Sequence, residues 1–294
     1  MESKETDDLI RLLRAELTAV HQQFVHMLAL RQWQRGELLD RITAIDTVDF
    51  KNAMQIIDSL VSRGNPVTLP SHSFRPGRDV TSILLSEMQM ELHLSGVIET
   101  LDTTGEAARA YVDKAAAPRG TYRDWLNAEI AKLEPMDRGE DTTPPSLASF
   151  IAELIALVEQ SMLHAFKLWH SGQNAEADNA WRLSGAAMLY GTAIIKRAAL
   201  SGDMPAPAVS PAVQMQEDRT TAFEADMALV QRCADIGRKA ADASGDTAMR
   251  RVCSKIAEDC DMILDMEPGG EFPATFGRSP VFESFSATRE KHLR

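Results

Sequence analysis

Two glutamates stand where a helix face should be unbroken apolar surface. Glu16 lies three residues after Leu13 and four before Val20, and Glu91 is flanked by Met88, Leu94 and Ile98. Residues three and four apart share a helix face, so both carboxylates are expected to point into a helical interior. Asp49 lies near the face that carries Ala53, Ile56, Ile57 and Leu60. Carboxylates gathered inside a protein can hold cations. Without a metal they must be protonated or met by a buried cationic side chain. The histidines offer less. His21 and His26 are five apart and do not share a face, and His164 and His170 have the same problem, so they read as surface or packing residues. Met88, Met90, Met188 and Met227 read as core filling. There is no phosphate loop, zinc-protease histidine pair or nucleophile elbow.

Those residues need helices to place them, and the composition favours helices. The 294 residues are 44% hydrophobic and only 6% aromatic, with Ala, Leu, Met, Glu and Arg plentiful. The length allows two hydrophobic cores. The formal charge of −12, with no Lys/Arg run, argues against a phosphate-backbone binder, so no nucleic-acid partner is expected. No apolar stretch reads as long enough to span a bilayer and the N-terminus reads as acidic, so neither membrane nor signal peptide is expected. Cys233, Cys253 and Cys260 lack metal-ligand spacing and read as reduced, partly buried thiols of a cytoplasmic protein.

Apolar periodicity predicts helices over about Asp7–Trp33, Leu38–Ser62 and Val80–Thr103. A further helical stretch, Glu106–Ala117, is expected to break at Pro118 and Gly120 before a closing helix at Tyr122–Leu133. A polar linker, Glu134–Pro145, follows. Helices are then expected at Ser149–His170, Glu176–Leu200, Asp218–Ala243 and Thr247–Met266. The segments Val67–Arg78 and Ala206–Pro211, with their prolines, read as crossover loops.

The pattern repeats. Glu16-Leu17-Thr18-Ala19 matches Glu153-Leu154-Ile155-Ala156 at an offset of 137 residues, as does Gln23 with Gln160. Ile56-Ile57 matches Ile194-Ile195, and Gly64 matches Gly202, both at 138; Asp102 and Gly105 match Asp242 and Gly245 at 140. One nearly constant offset across some ninety residues implies two duplicated domains, 1–140 and 146–268. Residues 269–294 form a tail whose Phe272, Phe276, Phe282 and Phe285 suggest docking, on the chain itself or on a partner.

Four helices with a long connection between the second and third fit the ferritin-like topology, and the residues carry the resemblance further. The run from Leu13 to His26 resembles the first helix of bacterioferritins. Asn52-Ala53 through Asp58, with Gly64 and Pro66, is similar to their second helix. Glu87–Leu92 resembles their third helix, and Tyr122–Leu126 their fourth. The expected fold is therefore all-α, two tandem ferritin-like four-helix bundles.

The resemblance implies a di-iron ligand set, with one Glu from each of two helices and a Glu-x-x-His pair from each of the others. Glu16 and Glu91 fill the two single positions. Asp49 and Asn52 replace one pair, and Arg119 and Tyr122 the other. An altered metal site of iron or another divalent ion would have Glu16, Asp49, Asn52, Glu91 and Tyr122 as oxygen ligands. The preferred reading instead has Arg119 compensating the carboxylates, with no cofactor. In the second repeat Glu153 and Asp259 are the remaining carboxylates, beside Ala187, Tyr190, Val230 and Met262. The haem methionine position of bacterioferritins falls on Phe50, so haem is not expected. These positions imply a non-catalytic pseudo-enzyme acting in assembly or in ligand or partner binding, including self-association. The alternatives are an oxidase or ferroxidase using the first repeat, and a small-molecule binder using an apolar cavity in the second.

Overall fold

A computed structural model describes residues 2–101, 106–133, 145–202 and 204–266. The tail phenylalanines, most of the linker, and the matched pair member Asp102 with Gly105 lie outside them. The first half of the chain forms α1 (Glu2–Gln32), α2 (Gly36–Ser62), β1 (Thr68–Leu69), β2 (His72–Phe74), α3 (Val80–Glu99) and α4 (Glu106–Ile130). The second half forms α5 (Pro145–His170), α6 (Asn174–Ser201), β3 (Ala208–Ser210), β4 (Val213–Gln214), α7 (Arg219–Ala243) and α8 (Thr247–Leu264). The described residues are thus mostly α-helical, with only short strands.

Local signals set several of these bounds. Asp79 caps α3, accepting from the Ser82 N–H at 2.6 Å while the Ser82 hydroxyl accepts from the Asp79 N–H. Asp218 caps α7 by accepting from the N–H groups of Thr220 and Thr221. Helix α6 ends on Gly202 at φ 78°, a left-handed conformation that glycine adopts without a Cβ clash. Helix α4 departs from expectation: it runs unbroken through Pro118. Proline removes one backbone hydrogen bond, but the adjoining Arg119 anchors this turn to three other helices.

Within the first half, α1 packs on α2 and α3, and α4 packs on α2 and α3. The second half repeats these pairings as α5 on α6 and α7, and α8 on α6 and α7. The halves also pack on each other, α1 against α6 and α2 against α5. The two predicted crossover loops are not purely loops. Thr68 and Leu69 pair antiparallel with Gln214 and Val213, and His72 to Phe74 pair antiparallel with Ser210 to Ala208. Each crossover therefore hydrogen-bonds to the other half's crossover.

The apolar core is continuous across the halves, and fully buried Leu12, Leu13, Ile57, Phe74 and Phe150 contribute to it. At Gly237 a Cβ would come within 2.8 Å of the Phe150 ring, so glycine there lets α7 approach α5. Residues Ser146–His170 are, by length and composition, long and apolar enough to cross a membrane, contrary to the expectation that no such stretch exists. Most of this segment is buried inside the protein, where a core helix needs the same composition. The three cysteines are free and buried.

Candidate functional site

Helices α1, α2, α3 and α4 each deliver one charged side chain to a single buried point. Glu16, Asp49 and Glu91 are fully buried, and Arg119 is 3% exposed. The Arg119 guanidinium reaches all three carboxylates. Its Nη2 donates to both Glu16 oxygens at 3.0 and 2.9 Å and to Asp49 Oδ1 at 2.6 Å; its Nη1 donates to Glu91 Oε1 at 2.8 Å. The sequence places the arginine and the three acids there, and the structure brings them together. Asn52 joins at the edge, its amide 3.4 Å from Glu16 Oε1. Tyr122 does not join: its hydroxyl donates to Glu87 Oε2 at 2.7 Å.

Three further partners escaped the sequence reading. The Tyr111 hydroxyl donates to Glu16, the Gln23 amide donates to Asp49 Oδ2 at 2.9 Å, and Glu87 links Tyr122 to His26. Tyr111 was recoverable. In an unbroken helix, residues 111, 119 and 122 fall within one broad face, but expecting a break at Pro118 hid that register. Gln23 had already been marked by its match with Gln160.

Negative charge outnumbers positive charge here, and burial raises the carboxylates. Glu16 is pushed up to about 8, chiefly by desolvation and then by Asp49, against the opposing pull of Arg119. Glu91 is pushed up to about 7 and Asp49 to about 6, again chiefly by burial and again opposed by Arg119. Asp46 is raised by burial and by its neighbours Asp49 and Glu87. The guanidinium is held firmly protonated: Glu16 and Asp49 outweigh the burial that opposes its charge. At neutral pH the cluster therefore holds protons as well as an arginine.

His26 and His164 are buried, not surface residues. His26 Nδ1 faces Glu87 Oε1, and its Nε2 lies 2.9 Å from the Arg75 carbonyl oxygen. His164 Nδ1 lies 2.9 Å from Asp226 Oδ1, and its Nε2 accepts from the Gln216 N–H at 3.1 Å. Each histidine thus ties a carboxylate of the third helix of its half to the backbone near the crossover. The two histidines share the duplication offset, which was the signal available in the sequence. His21 is buried as well, whereas His170 is exposed and pairs with Asp58.

The second half holds no counterpart of the arginine cluster among the described residues. Glu153 is turned to the partly exposed Arg232 at 3.1 Å. Val230 and Ala187 are buried, Asp259 pairs with Lys255, and Met262 is 47% exposed instead of facing the interior. Among the described residues an apolar cavity lies between the halves. It measures about 30 Å³ and is lined by Leu17, Phe50, Val158, Met162, Trp181 and Met188, among others. That is room for a few water molecules at most, far from the several hundred Å³ of ordinary ligand pockets. The chain matches no protein-family model, no curated protein and no solved structure.

Proposed function

We propose that this chain is a tandem pair of ferritin-like four-helix bundles in which an arginine has taken over the di-metal position, leaving a non-catalytic protein for assembly or binding. The observation that carries this reading is the Arg119 guanidinium, bonded at once to Glu16, Asp49 and Glu91. A di-metal centre needs carboxylates free to bridge cations and imidazoles to complete the coordination. Here one guanidinium bonds to all three acids and occupies the space between them that a pair of cations would need. Among the described residues no imidazole bonds to Arg119 or to its three acids, and the nearby His26 is engaged by Glu87 and Arg75. Helix pairings repeated in both halves, with a long crossover between the second and third helices of each, support the ferritin-like part. The assembly role is the residual reading once oxidase chemistry is set aside, with a partner protein or a second copy as the binding class.

The test is anaerobic loading of the full chain with ferrous iron, followed by exposure to oxygen. We expect at most one iron retained per chain and no rapid oxidation phase. About two irons per chain with fast turnover, abolished in Glu16→Ala and Glu91→Ala, would overturn the reading in favour of a ferroxidase.

A further inference from the structure

A second polar cluster lies where the two halves meet, with no role in the arginine-filled site. His21 comes from α1, His72 from β2 and Glu159 from the middle of α5. All three are buried, at 3%, 8% and 0% exposure. One ligand-capable atom from each lies within 4.8 Å of the others. The two imidazoles stack, with ring centroids 6.3 Å apart at 28°. His21 Nδ1 stands 3.1 Å from Glu159 Oε1.

His72 is the telling member. Both of its ring nitrogens are buried and neither has a hydrogen-bond partner. Burying a polar atom in that state ordinarily destabilises a fold, and native proteins retain such atoms where strain, chemistry or a bound ion requires them. A neutral imidazole there offers a ring lone pair to an ion. The Arg14 guanidinium is the counter-charge to Glu159. Arg14 grips both carboxylate oxygens and also donates to the Pro70 carbonyl at 3.3 Å. A hydrogen bond of this kind orients a ligating carboxylate, and Glu159 Oε2 keeps a lone pair beyond the one Arg14 uses.

We propose that His21, His72 and Glu159 form a binding site for one divalent transition-metal ion of the zinc type, which pins the first crossover strand and α1 to α5. Two imidazoles and one carboxylate are a donor set suited to zinc or cobalt, leaving a coordination position for water. Tetrahedral zinc needs its ligand atoms about 3.3 Å apart, so small ring rotations complete the site. Ligands from both halves make the ion a clasp between them. This site and the arginine cluster share no residue.

The test uses full-length protein stripped with a chelator and then equilibrated with Co²⁺, read by its visible absorption, with Zn²⁺ displacement as a competition. We expect one Co²⁺ per chain, displaced by Zn²⁺, and a Zn²⁺-dependent rise in Tm of about 5 °C. His72→Phe removes the unpartnered nitrogens without breaking a hydrogen bond, so it should fold; it should lose roughly 100-fold or more in metal affinity and all of the Tm rise. His21→Gln is the second variant and should behave alike. Glu91→Gln, in the other cluster, should leave the Co²⁺ spectrum unchanged. Absence of a Co²⁺ spectrum, or an undiminished one in both His72→Phe and His21→Gln, would overturn the proposal. A spectrum lost only in Glu91→Gln would overturn it too, by moving the metal to the first cluster.

Discussion

At matching positions the two halves keep one device and differ in another. Both have a buried histidine on the first helix, a carboxylate on the third, and a bond from the ring to the backbone near the crossover. Among the described residues, only the first half has a buried arginine set among several carboxylates. Glu16 is fully buried against Arg119, while its match Glu153 reaches the surface and meets Arg232. A device present twice is explained by what both halves need, a fixed crossover. A device present once needs a separate cause, because burying acids around an arginine is a poor route to stability compared with apolar packing. Under the function proposed above, that cost would be a remnant of a metal-binding arrangement.

The comparison is broken most directly at Arg119. Arg119→Ala leaves buried carboxylates without their counter-charge and is expected to cost about 3–5 kcal/mol, against almost nothing for the exposed Arg35→Ala. Glu16→Gln on the Arg119→Ala background should restore part of the loss. Urea denaturation of the full chain measures all members of this double-mutant cycle; additive effects would mean that the two residues do not act together.

The pH dependence comes next in size. Glu16, Asp49 and Glu91 have folded-state pKa values above their unfolded ones, at about 8, 6 and 7. The folded state holds protons that the unfolded chain releases. Their contribution is therefore full below about pH 4 and is lost as pH rises towards 8. At about 1.4 kcal/mol per unit a single one of these shifts is worth about 3–5 kcal/mol, and coupling among the three acids keeps them from adding. Glu159 has the opposite sign and acts only at the acid end, where stability falls as its carboxylate protonates. Glu16→Gln should flatten the curve between pH 5 and 8. An equally steep curve in that variant would place the titration elsewhere.

The shared device gives a smaller, paired effect. His26→Ala and His164→Ala should each cost about 1.5–3 kcal/mol, the range for hydrogen bonds to charged groups. Each should raise hydrogen exchange in its own crossover before the other. The rings should also differ in protonation. His164 accepts from a backbone N–H and so carries its proton on Nδ1. His26 instead donates from Nε2, to the Arg75 carbonyl oxygen. Ring ¹⁵N shifts distinguish the two; identical tautomers would remove this asymmetry.

Much of the fold was legible because helices are written locally. Leu13, Leu17 and Val20 state the inner face of α1 by themselves, and Glu16 within that stripe marks the cluster. Arg119 was placed through the family resemblance, since a proline beside it argued against a helix at all. The short strands were not legible. Two- and three-residue segments such as Thr68–Leu69 have no periodicity, and they become strands only by pairing with partners about 140 residues away. The His21, His72 and Glu159 grouping was hidden for the same reason, because it exists only once the halves meet.

The smallest expected effect tests the comparison most sharply, because it asks whether the second half is as plain as it looks. Glu153 occupies the position matching Glu16, but its side chain is 15% exposed and its partner Arg232 is 47% exposed. Water screens such a pair and holding two long side chains in register costs entropy, so its worth is about 0–1 kcal/mol. Arg232→Ala should fall in that range, and raising salt towards 1 M, where the screening length is about 3 Å, should erase the difference from the parent protein. Glu16 in the same salt should be unaffected, since neither it nor Arg119 is reached by ions. Denaturation of Arg232→Ala and Glu16→Ala at low and high salt therefore separates the halves. If Arg232→Ala costs as much as Arg119→Ala and keeps that cost in salt, the second half carries a buried ionic core of its own, and the asymmetry on which the lost-metal reading rests is gone.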